Sequence, residues 1–259
     1  MSEKEEEVTN EKSSKKINLQ DYIGEDSSEF YQKNKLIINI VSGVLGLGLV
    51  VWGAFIAWDY FFIQPKQEES IAKLWQAESA LLDYEDDGTN NNMDNAILAA
   101  INGDSTMTYS GLLKVIEEYE GYNGGRLAQY YLGIAYLNIE QKDSSTYDKA
   151  INALSKVDFE DEILGTMALG AIGDAYMQKG NASKAFDYYQ KAYSRKDNQL
   201  TTPMYMMKAA KAKELVQDYK KAEKIFNDIV LNYPFYNETY LAEKYLESIK
   251  LGAPLYKEE

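Results

Sequence analysis

The sequence predicts an all-α protein, with one N-terminal transmembrane helix followed by a short solenoid of paired helices. Three observations predict it. Residues 36–58 form a run of 23 positions without a charge. Beyond Gln64 no stretch alternates apolar and polar residues with period two, and the four prolines, Pro65, Pro203, Pro234 and Pro254, all sit at segment boundaries. Small and aromatic residues recur at helical spacing in three successive stretches, which is the mark of stacked repeats.

Composition removes most chemistry before any motif is considered. The 259 residues carry 41 acidic and 27 basic side chains, a net charge of −14, with no cysteine and no histidine. Disulfides, thiolate metal sites, cysteine nucleophiles and histidine acid–base catalysis are excluded. An acidic chain also lacks the concentrated basic face that a nucleic acid requires.

Residues 1–35 hold nine acidic residues and six lysines, and are expected to be a largely disordered polar head. A sparse apolar pattern at Leu19, Tyr22, Ile23, Phe30 and Tyr31 leaves room for a short interfacial helix. The run from Leu36 to Trp58 spans about 34 Å as a helix, enough for a hydrocarbon core of about 30 Å. Trp52, Trp58, Tyr60, Phe61 and Phe62 crowd its end as an interfacial belt would, so the membrane segment is assigned to residues 36–62. Lys15, Lys16, Lys33 and Lys35 precede it, whereas Asp59, Glu68 and Glu69 follow with only Lys66 among them. That bias puts the N-terminus in the cytoplasm and residues 63–259 across the membrane, which in a bacterium is the periplasm.

The repeat is clearest around Gly173. Leu169 and Ile172 precede it; Tyr176, Gly180, Ala185, Tyr189 and Ala192 follow. Small Gly173 and Ala185 allow two helix backbones to approach, Tyr176 and Tyr189 fill the wedge, and Gly180 permits the turn. This is the tetratricopeptide pattern. It recurs upstream as Leu132, Gly133, Tyr136, Ala150, Leu154 and Val157, and downstream as Ala210, Tyr219, Ala222, Phe226, Ile229 and Pro234. The units are placed at about 126–159, 166–197 and 203–236, with residues 141–146 read as an enlarged turn. Residues 66–120 are expected to hold degenerate helices: Ser70–Tyr84 with Ile71, Leu74, Trp75, Leu81 and Leu82 apolar, then a polar Gly88–Asn92 loop, then a degenerate pair at Met93–Ile101 and Tyr109–Tyr119. A capping helix is expected over 238–250. Most of the 22 tyrosines fall on packing positions.

A polar head, a single span and tandem helical repeats resemble the YfgM-like family, with GYNGGRLAQYYLGIAYL (121–137), LGAIGDAYMQKGNASKAFDYYQKA (169–192) and FNDIVLNYP (226–234) similar to its Bacteroidetes versions. The resemblance implies an ancillary subunit of the bacterial Sec translocon, acting with a periplasmic chaperone on exported clients. It supplies no catalytic residues, cofactor or small-molecule substrate. The 141–146 turn departs from the family pattern.

The acidic side chains suggest no enzyme. Glu117, Glu118, Asp158 and residues 160–162 form short clusters on polar faces or turns, without the burial that splits a catalytic pair. Asp86-Asp87-Gly88 lacks the ligand spacing of a calcium loop, and the glycines at 46 and 48 lie inside the span. Binding is the better lead. Side chains one helical face from Gly133, Gly173 and Ala210 are Leu127, Tyr130, Ile134 and Leu137, then Met167, Asp174 and Met177, then Met204, Met207 and Lys211. A methionine-rich groove suits varied unfolded segments, although the same methionines can simply fill a core. In the span, Ser42, Gly46, Gly53 and Ala57 share one helix face, as helices that approach closely in membranes do. The expectation is a membrane-anchored, non-enzymatic protein-interaction module at the Sec translocon; a scaffold subunit of another envelope complex is the alternative.

Overall fold

The computed structural model describes residues 25–82, 90–103, 110–139, 143–157 and 161–253. Among these every regular element is a helix, and one isolated antiparallel bridge joins Gly103 to Ser110. Two compact units divide between Phe61 and Phe62.

In the first unit a single helix, α1 (Glu25–Trp58), holds the uncharged run. It begins inside the stretch expected to be a disordered head; the residues before Glu25 lie outside the described ones. Its best window has mean hydropathy 2.2 and none of it is buried, so it is long and apolar enough to cross a membrane. A π-helical turn, Asp59–Ile63, follows.

The second unit contains α2 (Gln64–Leu82), α3 (Asn90–Asn102), α4 (Leu112–Glu118), α5 (Asn123–Asn138), α6 (Ser144–Leu154), α7 (Glu162–Gln178), α8 (Ala182–Tyr193), α9 (Thr201–Leu215), α10 (Tyr219–Asn232) and α11 (Thr239–Lys250). Pro65 and Pro203 fall in the first turns of α2 and α9, where a missing N–H costs nothing. From α5 onward each helix packs mainly on its chain neighbours, whereas α2 packs on α5 as well as on α3. The core is therefore a relay of clusters. Leu74, Ile97, Leu112, Val115 and Leu132 form the first, Leu154, Ala168 and Ile172 the second, and Phe186, Tyr205, Phe226 and Ile229 the third. Full burial of a side chain such as Phe226 contributes about 1.5–3 kcal/mol.

Glycine sets the closest approaches. A Cβ on Gly133 would lie 2.4 Å from Leu154, and one on Gly173 would lie 2.5 Å from Tyr189. Gly170 does the same for the ring of Tyr205, at 2.0 Å. Tyr189 fills the α7–α8 wedge as expected, whereas Tyr176 is half-buried and stacks on Tyr188 at 5.4 Å.

Four expectations change. The second half of the 141–146 turn is helix: α6 starts at Ser144, three residues earlier relative to Ala150 than α8 starts relative to Ala185. Three of the five extra residues between Gly133 and Ala150 thus belong to α6. Asp143 makes this possible by accepting the Thr146 N–H at 2.9 Å. Residues 140–142 lie outside the described ones. Second, Asn90–Asn92 open α3 rather than closing a loop. Third, α4 begins at Leu112, not Tyr109, because Gly111 meets the Gly103 backbone so closely that a Cβ would sit 2.1 Å from its nitrogen. Fourth, the buried face of α2 is Ser70, Leu74 and Ala77, while Ile71 and Trp75 face outward, Trp75 with 71% exposure. The spacing of three and four selects the smaller residues because α5 lies close: Gly124 there would bring a Cβ to 2.2 Å from the Ser70 carbonyl.

Candidate functional site

The first helices of the three pairs, α5, α7 and α9, bring most of the expected groove residues into two depressions. One, of about 430 Å³, is lined by Ile134, Leu137, Asp174, Met177 and Lys211, together with Asn138, Gln178, Tyr189 and Lys208. The other, of about 450 Å³, is lined by Leu127, Tyr130 and Met167, together with Ile71, Arg126, Tyr131 and Ile163. Leu137 shows only an edge, since it is otherwise buried. Met204 is half-buried against the third core cluster. Met207 is a core residue, 2% exposed. One residue of helix is about 100°, so the exposed stripe of α9 runs Met204, Lys208 and Lys211, and Met207 turns inward.

Asp174 organises the first depression. One carboxylate oxygen accepts the Tyr189 hydroxyl at 2.7 Å, and the Lys208 ammonium donates to both oxygens at 2.8 Å. Lys208 also lies 5.9 Å from the ring centres of both Tyr189 and Tyr205. Burial raises the Tyr130 and Tyr205 hydroxyls above the ordinary tyrosine range, and the Asp174 charge adds to it. One carboxylate thus ties α7, α8 and α9 together beside α5. Both ion-pair partners are about one-third exposed, so the pair contributes mainly geometry. Apolar walls with a few fixed polar groups are the make-up of a ligand-binding cleft.

The sequence reading missed Lys208 and the lysines of the second helices. Lys149 lies 5.9 Å from the Tyr136 ring, Lys184 5.2 Å from Tyr176, and Lys221 5.1 Å from Phe186. Each lysine immediately precedes the small residue of its unit, Ala150, Ala185 or Ala222. The spacing was visible, but the aromatic partner lies on another helix.

Of the carboxylate clusters, Glu117, Glu118, Asp161 and Glu162 are exposed, and Asp161 caps α7 by accepting the Leu164 N–H at 2.7 Å. Asp86, Asp87, Gly88, Asp158 and Glu160 lie outside the described residues. In α1 the side chains of Ser42 and Ala57 are exposed, and a Cβ on Gly46 or Gly53 would meet nothing within 4 Å. No protein family, characterised protein or solved structure matches the chain.

Proposed function

We propose that the protein is a membrane-anchored, non-enzymatic interaction module. Its α1 crosses the bacterial inner membrane with the N-terminus cytoplasmic, and its helix pairs form a periplasmic tetratricopeptide-repeat domain. The domain binds extended, incompletely folded polypeptide as an ancillary subunit of the Sec translocon, beside a periplasmic chaperone. The observation that carries this reading is the pair of depressions along α5, α7 and α9, where Ile134 and Met177 flank the polar node at Asp174 in one and Leu127 and Met167 line the other. The exposed apolar α1 supports the anchor, and the resemblance of the repeats supports the translocon.

Copurification from native membranes in mild detergent tests the partner: translocon subunits are expected, and recovery of a different envelope machine in their place would refute the assignment. Binding is tested separately. Met167→Glu with Met177→Glu is expected to weaken capture of an unfolded model polypeptide at least tenfold with an unchanged melting curve, because half-exposed positions cost little to alter. Undiminished capture would remove the groove from the mechanism.

A further inference from the structure

The turns that join one helix pair to the next lie side by side along one edge of the second unit. The Arg195 guanidinium donates to the Asp161 carbonyl at 3.3 Å, and Lys196 pairs with Glu162 at 2.5 Å, so the α8–α9 turn meets the start of α7. The Tyr233 hydroxyl donates to Asp197 at 2.5 Å, so the α10–α11 turn meets the α8–α9 turn. Ile71 and Asn123 share a depression with Asp161 and Ile163, which brings the starts of α2 and α5 to the same edge.

Along this edge large apolar side chains are exposed: Ile163 in the first turn of α7 at 71%, Leu200 just before α9 at 68% and Phe235 in the α10–α11 turn at 94%, with Tyr240 in the first turn of α11 at 64%. The separations of the first three, 37 and 35 residues, follow the repeat itself, where Gly133, Gly173 and Ala210 are 40 and 37 apart. A lone exposed apolar residue needs no explanation. Three in register on one edge do, since each pair would be equally well closed by a polar turn. The edge is also where the unit's chain begins: Gln67, which accepts the Asn123 N–H, lies nine residues after Trp58, the last residue of the apolar helix.

We propose that this edge rests on the lipid surface, with Ile163, Leu200 and Phe235 entering the interface between headgroups and acyl chains. The proposal rests on the reading that α1 spans the bilayer. Apolar and aromatic tips are the side chains that partition there.

The chain has no cysteine, so single labels are unambiguous. Full-length Ile163→Cys, Leu200→Cys and Phe235→Cys are spin-labelled in nanodiscs of phosphatidylethanolamine and phosphatidylglycerol. Accessibility to lipid-soluble oxygen is compared with accessibility to an aqueous nickel chelate. Ser183→Cys, in the first turn of α8 at the opposite ends of the helices, is the aqueous control, and Val50→Cys in α1 is the lipid control. The three edge labels are expected to favour oxygen at least threefold over the Ser183 label. Edge labels as aqueous as Ser183, with Val50 in lipid, overturn the proposal and leave the span intact. Edge labels shielded from both reagents mark a protein partner and also overturn it. An aqueous Val50 label refutes the span and this proposal together.

Discussion

Gln217 occupies the turn position that Gly180 holds one unit earlier, five residues before Ala222 as Gly180 is five before Ala185. Both have positive φ, 60° for Gln217 and 72° for Gly180. A residue with a Cβ pays about 1–2 kcal/mol in that region. Gln217→Gly is therefore expected to raise stability by about 0.5–1 kcal/mol, seen as a higher urea midpoint at constant slope. Gly180→Ala is expected to lose about 1 kcal/mol although there is open space around it. On α9 the two methionines separate in the same way. Met207→Glu buries a charge and is expected to abolish cooperative melting, whereas Met177→Glu leaves it intact. The sequence reading placed Met207 in the groove because it took the α9 face one residue out of phase. Helix periodicity names a stripe, but only the position of α8 and α10 decides which side of it is covered.

At the scale of elements, helix starts are fixed by side chains that the repeat pattern passes over. Asp143, Asp161, Asn181 and Asp218 each accept an N–H from the first turn that follows. The start of α5 has no side-chain cap of its own and borrows one from α2. The Asn123 N–H donates to Gln67 Oε1 at 2.7 Å, and the Gly124 N–H donates to the buried Ser70 Oγ at 3.1 Å. These partners are 56 and 54 residues apart, beyond any local signal. Gln67→Ala with Ser70→Ala is expected to cost about 1–3 kcal/mol, chiefly by leaving the buried Gly124 N–H unpaired. Hydrogen exchange at Asn123 and Gly124 should accelerate by a similar factor, and unchanged protection there would show that water replaces the cap. The three helix pairs were legible because Gly133, Gly173 and Ala222 must be small wherever helices touch. The helices of 66–120 were blurred because their tight contacts run through Gly111, Gly124 and Gly125, whose neighbours in space are backbone groups of other segments.

For the molecule as a whole, tyrosine sets the alkaline limit. Burial raises Tyr119 to about 12, with Glu69 adding to it. Burial likewise raises Tyr233 to about 12 with help from Asp197, and Tyr236 to about 12 with help from Glu238. A folded-state value above the unfolded one means that stability is complete below pH 10 and is lost as the pH rises toward 12. Tyrosinate absorbance and loss of helical ellipticity are therefore expected to rise together across that window; ionisation without unfolding would refute the linkage. In α1, Gly46→Leu with Gly53→Leu is expected to abolish copurification with a membrane partner while insertion is unaffected, if the small-residue face makes the contact. Retained copurification would place the contact in the helix pairs.

The borrowed cap on α5 also has a mechanical consequence. If α1 is held in a bilayer as proposed, a pull on the helix pairs reaches the anchor through α2. The joint between α2 and α5 consists of Leu74 and Ala77 buried against the core and two hydrogen bonds from Gln67 and Ser70. α2 also packs on α3 and α4, so these elements share any load that reaches it. The contacts of Gln67, Ser70, Leu74 and Ala77 are therefore the coupling between the anchor segment and the helix pairs, and weakening them loosens that coupling without touching the cores of the pairs themselves.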